Sequence, residues 1–420
     1  MGLLANEAEA GGARGFCRGF RPAAFASSIP QRFGWGRMAA YYSAVWPKFY
    51  IGNHAKASGM YEPLVVGRGN PQFARADVKT LAEKAIGKQL KDGEVSRYWA
   101  GKAWEFIHTA PGQWLLLFGK KLLLLVNGVE IADTDDFYGR RHYMVSLKLA
   151  FLTFPWVLVA ATLGVFQVRA KLKELWVMVA YLAVYALSVA AFYVFARYRF
   201  PLVPVLLLFG GVGLEAVLRR KLTWRASALG AAALILSLLP VVDRKMQQAS
   251  SEVFLGNFSW SRRQDLGEAI QHYREAVRLW PSHAGAWLRL GQALKEKEAW
   301  RESEEAFSHA QKLAPTGDIV EQQWGAMSLI QGDLIRGRLH ILKALELNPE
   351  NGESLRLLGD LVFRQGQVEK AVEIYRKAEP LLPQSAVLRN NLGAALARLS
   401  RWEEAEASLR RACELDPSYA

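Results

Sequence analysis

The chain has 420 residues, with 53 Lys and Arg against 39 Asp and Glu, and two cysteines. This length allows two or three domains, whereas two cysteines are too few for a disulfide framework or a cysteine-based metal site. The positive excess lies before residue 249, among long apolar runs, and no nucleic-acid-binding motif accompanies it, so we expect lipid head groups rather than nucleic acid as its partner.

Residues 1–47 are rich in Gly, Ala and Arg. They contain no continuous apolar stretch of the length that a signal peptide needs. Two interpretations remain open for this segment. It is either a poorly ordered tail or the product of a misassigned start of translation.

Residues 48–146 are predicted to form a loop region outside the cytoplasm. Within it, Trp114–Val126 is an apolar run of 13 residues interrupted by Lys120 and Lys121. A run of this kind is typical of a helix that lies at a membrane interface, with lysines toward head groups and leucines toward lipid.

Four apolar runs between residues 147 and 243 predict four transmembrane helices. The alternative is a set of buried core helices in a globular domain. The connecting loops richest in Lys and Arg favour a bacterial inner-membrane protein with both chain ends outside the cytoplasm. The four runs are Leu149–Val168, Leu175–Ala196, Phe200–Val217 and Ala226–Val242.

Residues 249–420 carry an internal repeat of 34 residues, which is the period of the tetratricopeptide repeat. We expect five such repeats, each a pair of antiparallel helices, and hence an all-α chain in which a four-span section precedes a repeat solenoid. Proline ends each second helix because it cannot continue the hydrogen-bond ladder. The series are Pro281, Pro315, Pro349, Pro383 and Pro417; Gly291, Gly325, Gly359 and Gly393; and Ala276, Ala310, Ala344, Ala378 and Ala412.

Two repeats depart from this pattern. The first, around Gly256 to Pro281, is one residue longer than the period. The third has Glu321 where an apolar residue is usual and Gly337 where alanine is usual, so we expect the third repeat to be the least stable.

The first helices of the repeats are expected to form a concave surface that binds a partner protein. Their polar residues are candidate partner contacts, although an ordinary solvated face explains them equally well. These candidates are Gln292, Arg356, Asn390 and Asn391.

Residues 48–218 resemble the C-terminal half of bacterial GT-C-type membrane glycosyltransferases, in the group similar to protein mannosyltransferases. The resemblance implies sugar transfer from a polyprenyl-phosphate carrier. It also implies that the catalytic acid belongs to an earlier loop that this chain lacks, so we expect a truncated enzyme. The segments that carry the resemblance are Lys48–Asn53, Glu94–Trp99, Asn127–Asp133 and Ala196–Pro204.

The resemblance also implies that Arg197 and Arg199 meet the carrier phosphate, which a guanidinium group suits well. Ordinary interfacial anchoring is the alternative. Glu130, Asp133 and Asp136 are candidates for a catalytic base or for ligands of a divalent cation. The alternative for these three is a solvated acidic loop, and no other cofactor or metal site is predicted.

Three functions remain in competition. The chain is predicted first to be a membrane-anchored scaffold that binds a protein partner through its repeats. The second hypothesis is a glycosyltransferase fragment that needs a separately encoded N-terminal half. The third is an intact enzyme that uses the acidic cluster at Glu130, Asp133 and Asp136, and we regard it as the weakest of the three.

Overall fold

A computed structural model of the chain describes residues 45–66, 71–131, 136–143 and 153–419. Throughout these ranges the regular structure is helical, and none of them contains a β-strand. The chain divides into two compact units, one ending at Gln247 and one that includes everything from Gln248 onward. The prediction of an all-α fold is therefore confirmed for the described ranges.

Among its described residues, the first unit contains a helical stretch over residues 45–52 and eight further α-helices. Prolines occupy the first turn of four of these helices, where the missing N–H costs nothing. The helices are α1 (Pro71–Ile86), α2 (Asp92–Thr109), α3 (Pro111–Val126), α4 (Phe137–Tyr143), α5 (Phe154–Gln167), α6 (Trp176–Ala191), α7 (Val203–Leu218) and α8 (Trp224–Leu238).

Glycines allow α5 and α7 to pack backbone against backbone. A Cβ atom at Gly164 would lie 1.7 Å from the carbonyl oxygen of Phe209. One at Gly213 would lie 2.1 Å from the carbonyl oxygen of Ala160. Any side chain at either position would therefore push the two helices apart.

The prediction of four membrane spans is wrong. In the ranges that the structure describes, no helix is both long enough and apolar enough to cross a membrane. Helices α5 to α8 contain 14, 16, 16 and 15 residues. At a rise of 1.5 Å per residue they are about 21 to 24 Å long, against roughly 30 Å for a hydrocarbon core.

The apolar runs exceed the helices because the backbone leaves the helical conformation inside them. Helix α6 ends at Ala191, and the same run continues as extended chain and then as the 3₁₀ turn Ala196–Arg199. Residues 149–152 of the first predicted span lie outside the described residues. The predicted location in a bacterial inner membrane, with the repeats outside the cytoplasm, depended on four spans and is corrected together with them.

Two other expectations concern the first unit. The predicted interfacial helix forms as α3 and begins three residues early, at Pro111. Lys121 points into the protein rather than outward, because its side chain is completely buried. The predicted tail, residues 1–47, lies outside the described residues up to residue 44, and residues 45–47 are helical.

Five helix pairs, numbered here as repeats one to five, follow from Arg244 onward and form the helical structure of the second unit. In repeats two to five the first helix packs against the second along its length, and in repeat one Gly256 lies against the ring of Tyr273. The pairs are α9 (Arg244–Phe258) with α10 (Leu266–Leu279), α11 (Ala284–Glu296) with α12 (Trp300–Leu313), α13 (Asp318–Ile330) with α14 (Leu334–Leu347), α15 (Gly352–Arg364) with α16 (Val368–Ala378), and α17 (Ala386–Arg398) with α18 (Trp402–Leu415).

The recurring glycines mark the closest contact within each pair. A Cβ atom built on any of them would lie between 2.4 and 2.9 Å from a large side chain of the second helix. Only glycine leaves room for that side chain, which explains why the residue recurs. The register glycines and the side chains above them are Gly256 and Tyr273, Gly291 and Phe307, Gly325 and Ile341, Gly359 and Tyr375, and Gly393 and Leu409.

The additional residue of repeat one is absorbed by a change of helix type. Between α9 and α10 the chain forms a π-helical turn, Ser259–Arg263, which holds one more residue per hydrogen-bonded turn than an α-helix. A residue with positive φ follows in every repeat, with an unbroken spacing of 34. These residues are Gln264, Glu298, Gly332, Gly366 and Ser400.

Substituting alanine at a buried and at an exposed helical glycine is expected to give effects of opposite sign. Gly359→Ala should lower the free energy of unfolding by about 1 to 3 kcal/mol, because its Cβ would overlap the ring of Tyr375. Gly267→Ala, at an exposed position of α10, should raise it by about 0.5 to 1 kcal/mol. Urea unfolding of the full chain, followed by hydrogen exchange of the affected helices, measures both. A stabilising Gly359→Ala substitution would contradict the packing argument.

Candidate functional site

The inner face of the repeats is defined here by three positions on each first helix: three and two residues before the register glycine, and one residue after it. These positions lie on one side of a helix, because residues three and four apart share a face. All four predicted partner contacts fall on the inner face, namely Gln292, Arg356, Asn390 and Asn391.

Two of these four residues bond to one carboxylate in repeats four and five, and a third contacts one of these two. Asp360 Oδ1 accepts hydrogen bonds from the hydroxyl of Tyr375 at 2.7 Å and from Asn391 Nδ2 at 2.7 Å. Asp360 Oδ2 accepts one from Arg356 Nη1 at 2.6 Å. Asn390 Nδ2 contacts Asn391 Oδ1 at 3.4 Å. The inner face of these repeats is therefore a connected polar network.

Burial, and then the nearby Asp360 carboxylate, raises the pKa of Tyr375, so its hydroxyl stays a donor. Arg356 makes a second ion pair, with Glu353. Sequence reasoning missed Asp360 as the centre of this network. Two signals could have identified it: Asp360 directly follows a register glycine, and it lies four residues after Arg356, which is ion-pair spacing on a helix.

Repeats one and two contain the equivalent residues, but the hydrogen bond from the second repeat to the first is not formed. The hydroxyl of Tyr273 donates to Asn257 Oδ1 at 2.8 Å, and burial raises the pKa of Tyr273 to about 12. Arg289 occupies the position that Asn391 has in repeat five. Instead of crossing to repeat one, Arg289 Nη1 donates to Gln292 Oε1 of its own helix at 3.2 Å.

An open cavity of about 840 Å³ lies where the network does not close. Within the described part of the chain, Arg289 has no carboxylate oxygen within 4.0 Å, whereas Arg356 has two such partners. The cavity therefore presents an unneutralised guanidinium group beside aromatic surface. Its lining residues are Asn257, Trp260, Ser261, Gln264, Leu266, Tyr273 and Arg289.

The first unit holds the other predicted site residues. Arg199 is buried, and its Nη2 donates to the carbonyl oxygens of Val129 at 2.5 Å and Leu124 at 3.2 Å. Its Nη1 lies 3.3 Å from Glu130 Oε1. Arg197, in contrast, is exposed, with its guanidinium 5.5 Å from the ring centre of Phe195. The two arginines therefore do not form a joint phosphate site in this arrangement, and their role as phosphate ligands stays a prediction.

The three acidic candidates are separated by their contacts. Glu130 is paired with Arg199. Asp136 is buried, and its Oδ1 accepts the backbone N–H of Gly139 at 2.8 Å at the start of α4. Asp133 lies outside the described residues. Within the ranges that are described, no group of three or more His, Cys, Asp and Glu side chains could hold a metal ion.

The described residues of the four segments that carry the family resemblance lie close together in the first unit. Asn53 Nδ2 donates to the carbonyl oxygen of Ala191 at 2.8 Å, just before the segment that begins at Ala196. The backbone N–H of Ala196 donates to the carbonyl oxygen of Ile131 at 3.1 Å. The rings of Tyr50 and Trp99 are 4.7 Å apart. Residues distant in sequence thus form one contact region.

Comparison with known proteins agrees with the repeat architecture. A family profile described as tetratricopeptide repeat matches residues 261–318, and one described as anaphase-promoting complex, cyclosome, subunit 3 matches residues 338–412. The peroxisomal targeting signal receptor of Eremothecium gossypii is 26% identical over 189 residues, which cover 37% of this chain and 33% of the receptor.

One further curated relative and one solved structure are also similar to this chain. The protein O-mannosyl-transferase TMTC1 of Homo sapiens is 29% identical over 163 residues, which cover 36% of this chain and 18% of the transferase. The crystal structure of YrrB, described as a TPR protein with an unusual peptide-binding site, is 20% identical with a TM-score of 0.32, covering 42% of this chain and 89% of YrrB.

The chain spans 33% and 18% of the length of the two curated relatives, so their activities do not transfer to it. The glycosyltransferase half inferred from residues 48–218 is not shown by these matches and stays a prediction. For the C-terminal region, the two profile matches and the five helix pairs indicate the same architecture. The C-terminal region of this chain is an array of tetratricopeptide repeats.

Proposed function

We propose that the repeats bind an extended segment of a partner protein along the inner face, with an acidic side chain of that segment held by Arg289. The open cavity beside Arg289 is the observation that carries this proposal. A guanidinium group forms two parallel hydrogen bonds with a carboxylate, so it both attracts and orients such a side chain.

The surroundings of Arg289 suit a peptide rather than a small charged molecule. Trp260, which is partly exposed, offers flat apolar surface with one polar edge, which is typical of residues that dominate protein interfaces. Asn257 and Gln264 add amide groups that can bond to a peptide backbone. One relative is named as a receptor for a targeting signal, which supports binding rather than catalysis.

The Asp360 network would extend the same surface. Because Arg356, Asn391 and Tyr375 bond to one carboxylate, their side chains are fixed before any partner arrives. A preorganised surface loses less conformational entropy on binding. Arg356, Asn390, Asn391 and Gln292 are therefore proposed as further contacts along the inner face.

The test selects ligands from a random peptide library displayed on phage, with the full chain immobilised. Arg289→Glu should weaken the selected peptides by about ten- to a hundredfold, because one charge-assisted contact becomes a repulsion. The control is Arg301→Glu, which makes the same charge change on the exposed side of α12 and should leave affinity unchanged. Equal weakening by both variants, or no selected peptide at all, would refute the proposal.

A second candidate is sugar transfer from a polyprenyl-phosphate carrier, in cooperation with a separately encoded N-terminal half. The grouping of Lys48–Asn53, Glu94–Trp99 and Ala196–Pro204 in one contact region supports it. An assay with a polyprenyl-phosphate sugar, with and without the product of the upstream reading frame, separates this candidate from the first.

A further inference from the structure

Helix α14 of repeat three exposes an apolar stripe to solvent. The stripe consists of Ile335, Leu339 and Leu342, which are 87%, 65% and 44% exposed. Their spacing of four and three residues places them on one side of the helix. Large exposed apolar side chains that are contiguous, rather than scattered, mark an interaction surface.

The corresponding positions of the other second helices do not share this character. Among their twelve residues there is one alanine and one glycine, and the rest are polar or charged. A stripe confined to one repeat is therefore not a consequence of the repeat architecture. The counterparts are Gly267, Gln271 and Arg274; Arg301, Glu305 and Ser308; Glu369, Glu373 and Arg376; and Glu403, Ala407 and Arg410.

The charges on α14 show what kind of surface would cover the stripe. Arg336 is paired with Glu304, and Lys343 with Glu321. In the part of the chain that the structure describes, Arg338 and Glu346 have no ion-pair partner within 4.0 Å, and both are exposed. They carry opposite charges, and each lies four residues from Leu342.

We propose that a second copy of this chain covers the stripe, with the two α14 helices antiparallel about a two-fold axis at Leu342. In that arrangement, a residue a given number of positions before Leu342 in one copy faces the residue the same number of positions after Leu342 in the other copy. Arg338 then meets Glu346 of the second copy, and the same pair forms again across the axis. Leu339 meets Leu345, so apolar and charged groups both find complementary partners.

Self-pairing explains why the two unpaired charges differ in sign and are placed symmetrically. A surface that binds an unrelated partner has no reason to be its own electrostatic complement. Contact through α14 leaves the inner face of the repeats untouched, because α14 is the second helix of its pair. The inference is therefore independent of the proposed peptide site.

Sedimentation velocity of the full chain over a range of concentrations tests the inference. The chain should form dimers, and Arg338→Glu or Glu346→Arg alone should raise the dimer dissociation constant at least tenfold. An equal mixture of the two variants should recover the original dissociation constant, because every charge then faces its opposite. Glu373→Arg, on the equivalent side of α16, is the control and should change nothing.

Three outcomes would overturn the inference. The first is a wild-type chain that stays monomeric at every concentration. The second is a dimer that the two charge reversals leave within twofold of wild type. The third is a mixture that does not recover, provided that circular dichroism shows both variants folded. A folding defect alone cannot imitate recovery on mixing.

Discussion

Glu321→Gln is expected to lower the free energy of unfolding of the repeats by about 3 kcal/mol, because it leaves a set of donors without their shared carboxylate. Glu321 is buried between repeats two and three. It accepts hydrogen bonds from Gln311 of α12 and pairs with Lys343 of α14. The ring of His340 lies 2.7 Å from its Oε2. A glutamine in its place supplies one acceptor oxygen and an NH₂ group, which can only donate.

The same contacts predict that the free energy of unfolding falls in acid. Burial alone would raise the pKa of Glu321, but hydrogen bonds from His340, Lys343 and Gln311 outweigh burial and hold the pKa below its usual value. The folded state therefore binds fewer protons than the unfolded state in mild acid. The stabilisation is complete above the unfolded pKa, near 4.3, and is lost as the pH falls through the folded pKa.

Urea unfolding of the full chain between pH 7 and pH 3 measures both effects. The wild type should lose more stability over this range than Glu321→Gln does. The control Glu373→Gln removes an exposed carboxylate from α16 and should follow the wild type. If Glu321→Gln proves as stable as the wild type at pH 7, the carboxylate has no net stabilising role.

Repeat three shows what a repeat pattern can and cannot predict. The repeat register at Gly325 predicts the helix pair. In every repeat a Cβ atom at the register glycine would overlap a large side chain of the second helix, so the same residue recurs at the same spacing. Glu321 appears in that pattern only as a departure, and we expected it to weaken the repeat. Its partners lie between 10 and 22 residues away on two other helices, so no local pattern displays them.

The inner face was predictable for the same reason, since Arg356, Asn390 and Asn391 follow the repeat register. The network at Asp360 was only partly predictable. The spacing of Arg356 and Asp360 is visible on one helix, whereas the bonds from Tyr375 and Asn391 to Asp360 join residues 15 and 31 apart. The membrane prediction failed on a different point. Hydropathy measures how long an apolar run is, whereas a span needs an unbroken helix, and the run that contains α6 leaves the helix after Ala191.

Lys121→Met is expected to stabilise the first unit by about 2 to 3 kcal/mol at pH 7. The side chain of Lys121 is completely buried in α3, and its Nζ donates to a neutral partner, Asn53 Oδ1, at 3.0 Å. Burial lowers the pKa of Lys121 to about 7. Methionine fills nearly the same volume, and Asn53 Oδ1 keeps its other hydrogen bond, from Trp114 Nε1 at 3.0 Å.

The stability gain should depend on pH with a definite sign. Between pH 7 and the ordinary lysine pKa near 10.4, the unfolded state holds a proton on Lys121 that the folded state has released. The wild type should therefore become more stable as the pH rises from 7 to 10, and Lys121→Met should lack this rise. The control Lys120→Met removes a neighbouring, only partly buried ammonium group and should keep the wild-type slope.

Urea unfolding followed by oxidative footprinting of the α3 peptide reports on this unit alone. Equal slopes in all three proteins would mean that Lys121 stays charged in the folded state, and a destabilised Lys121→Met would mean that its bond to Asn53 outweighs the cost of burial.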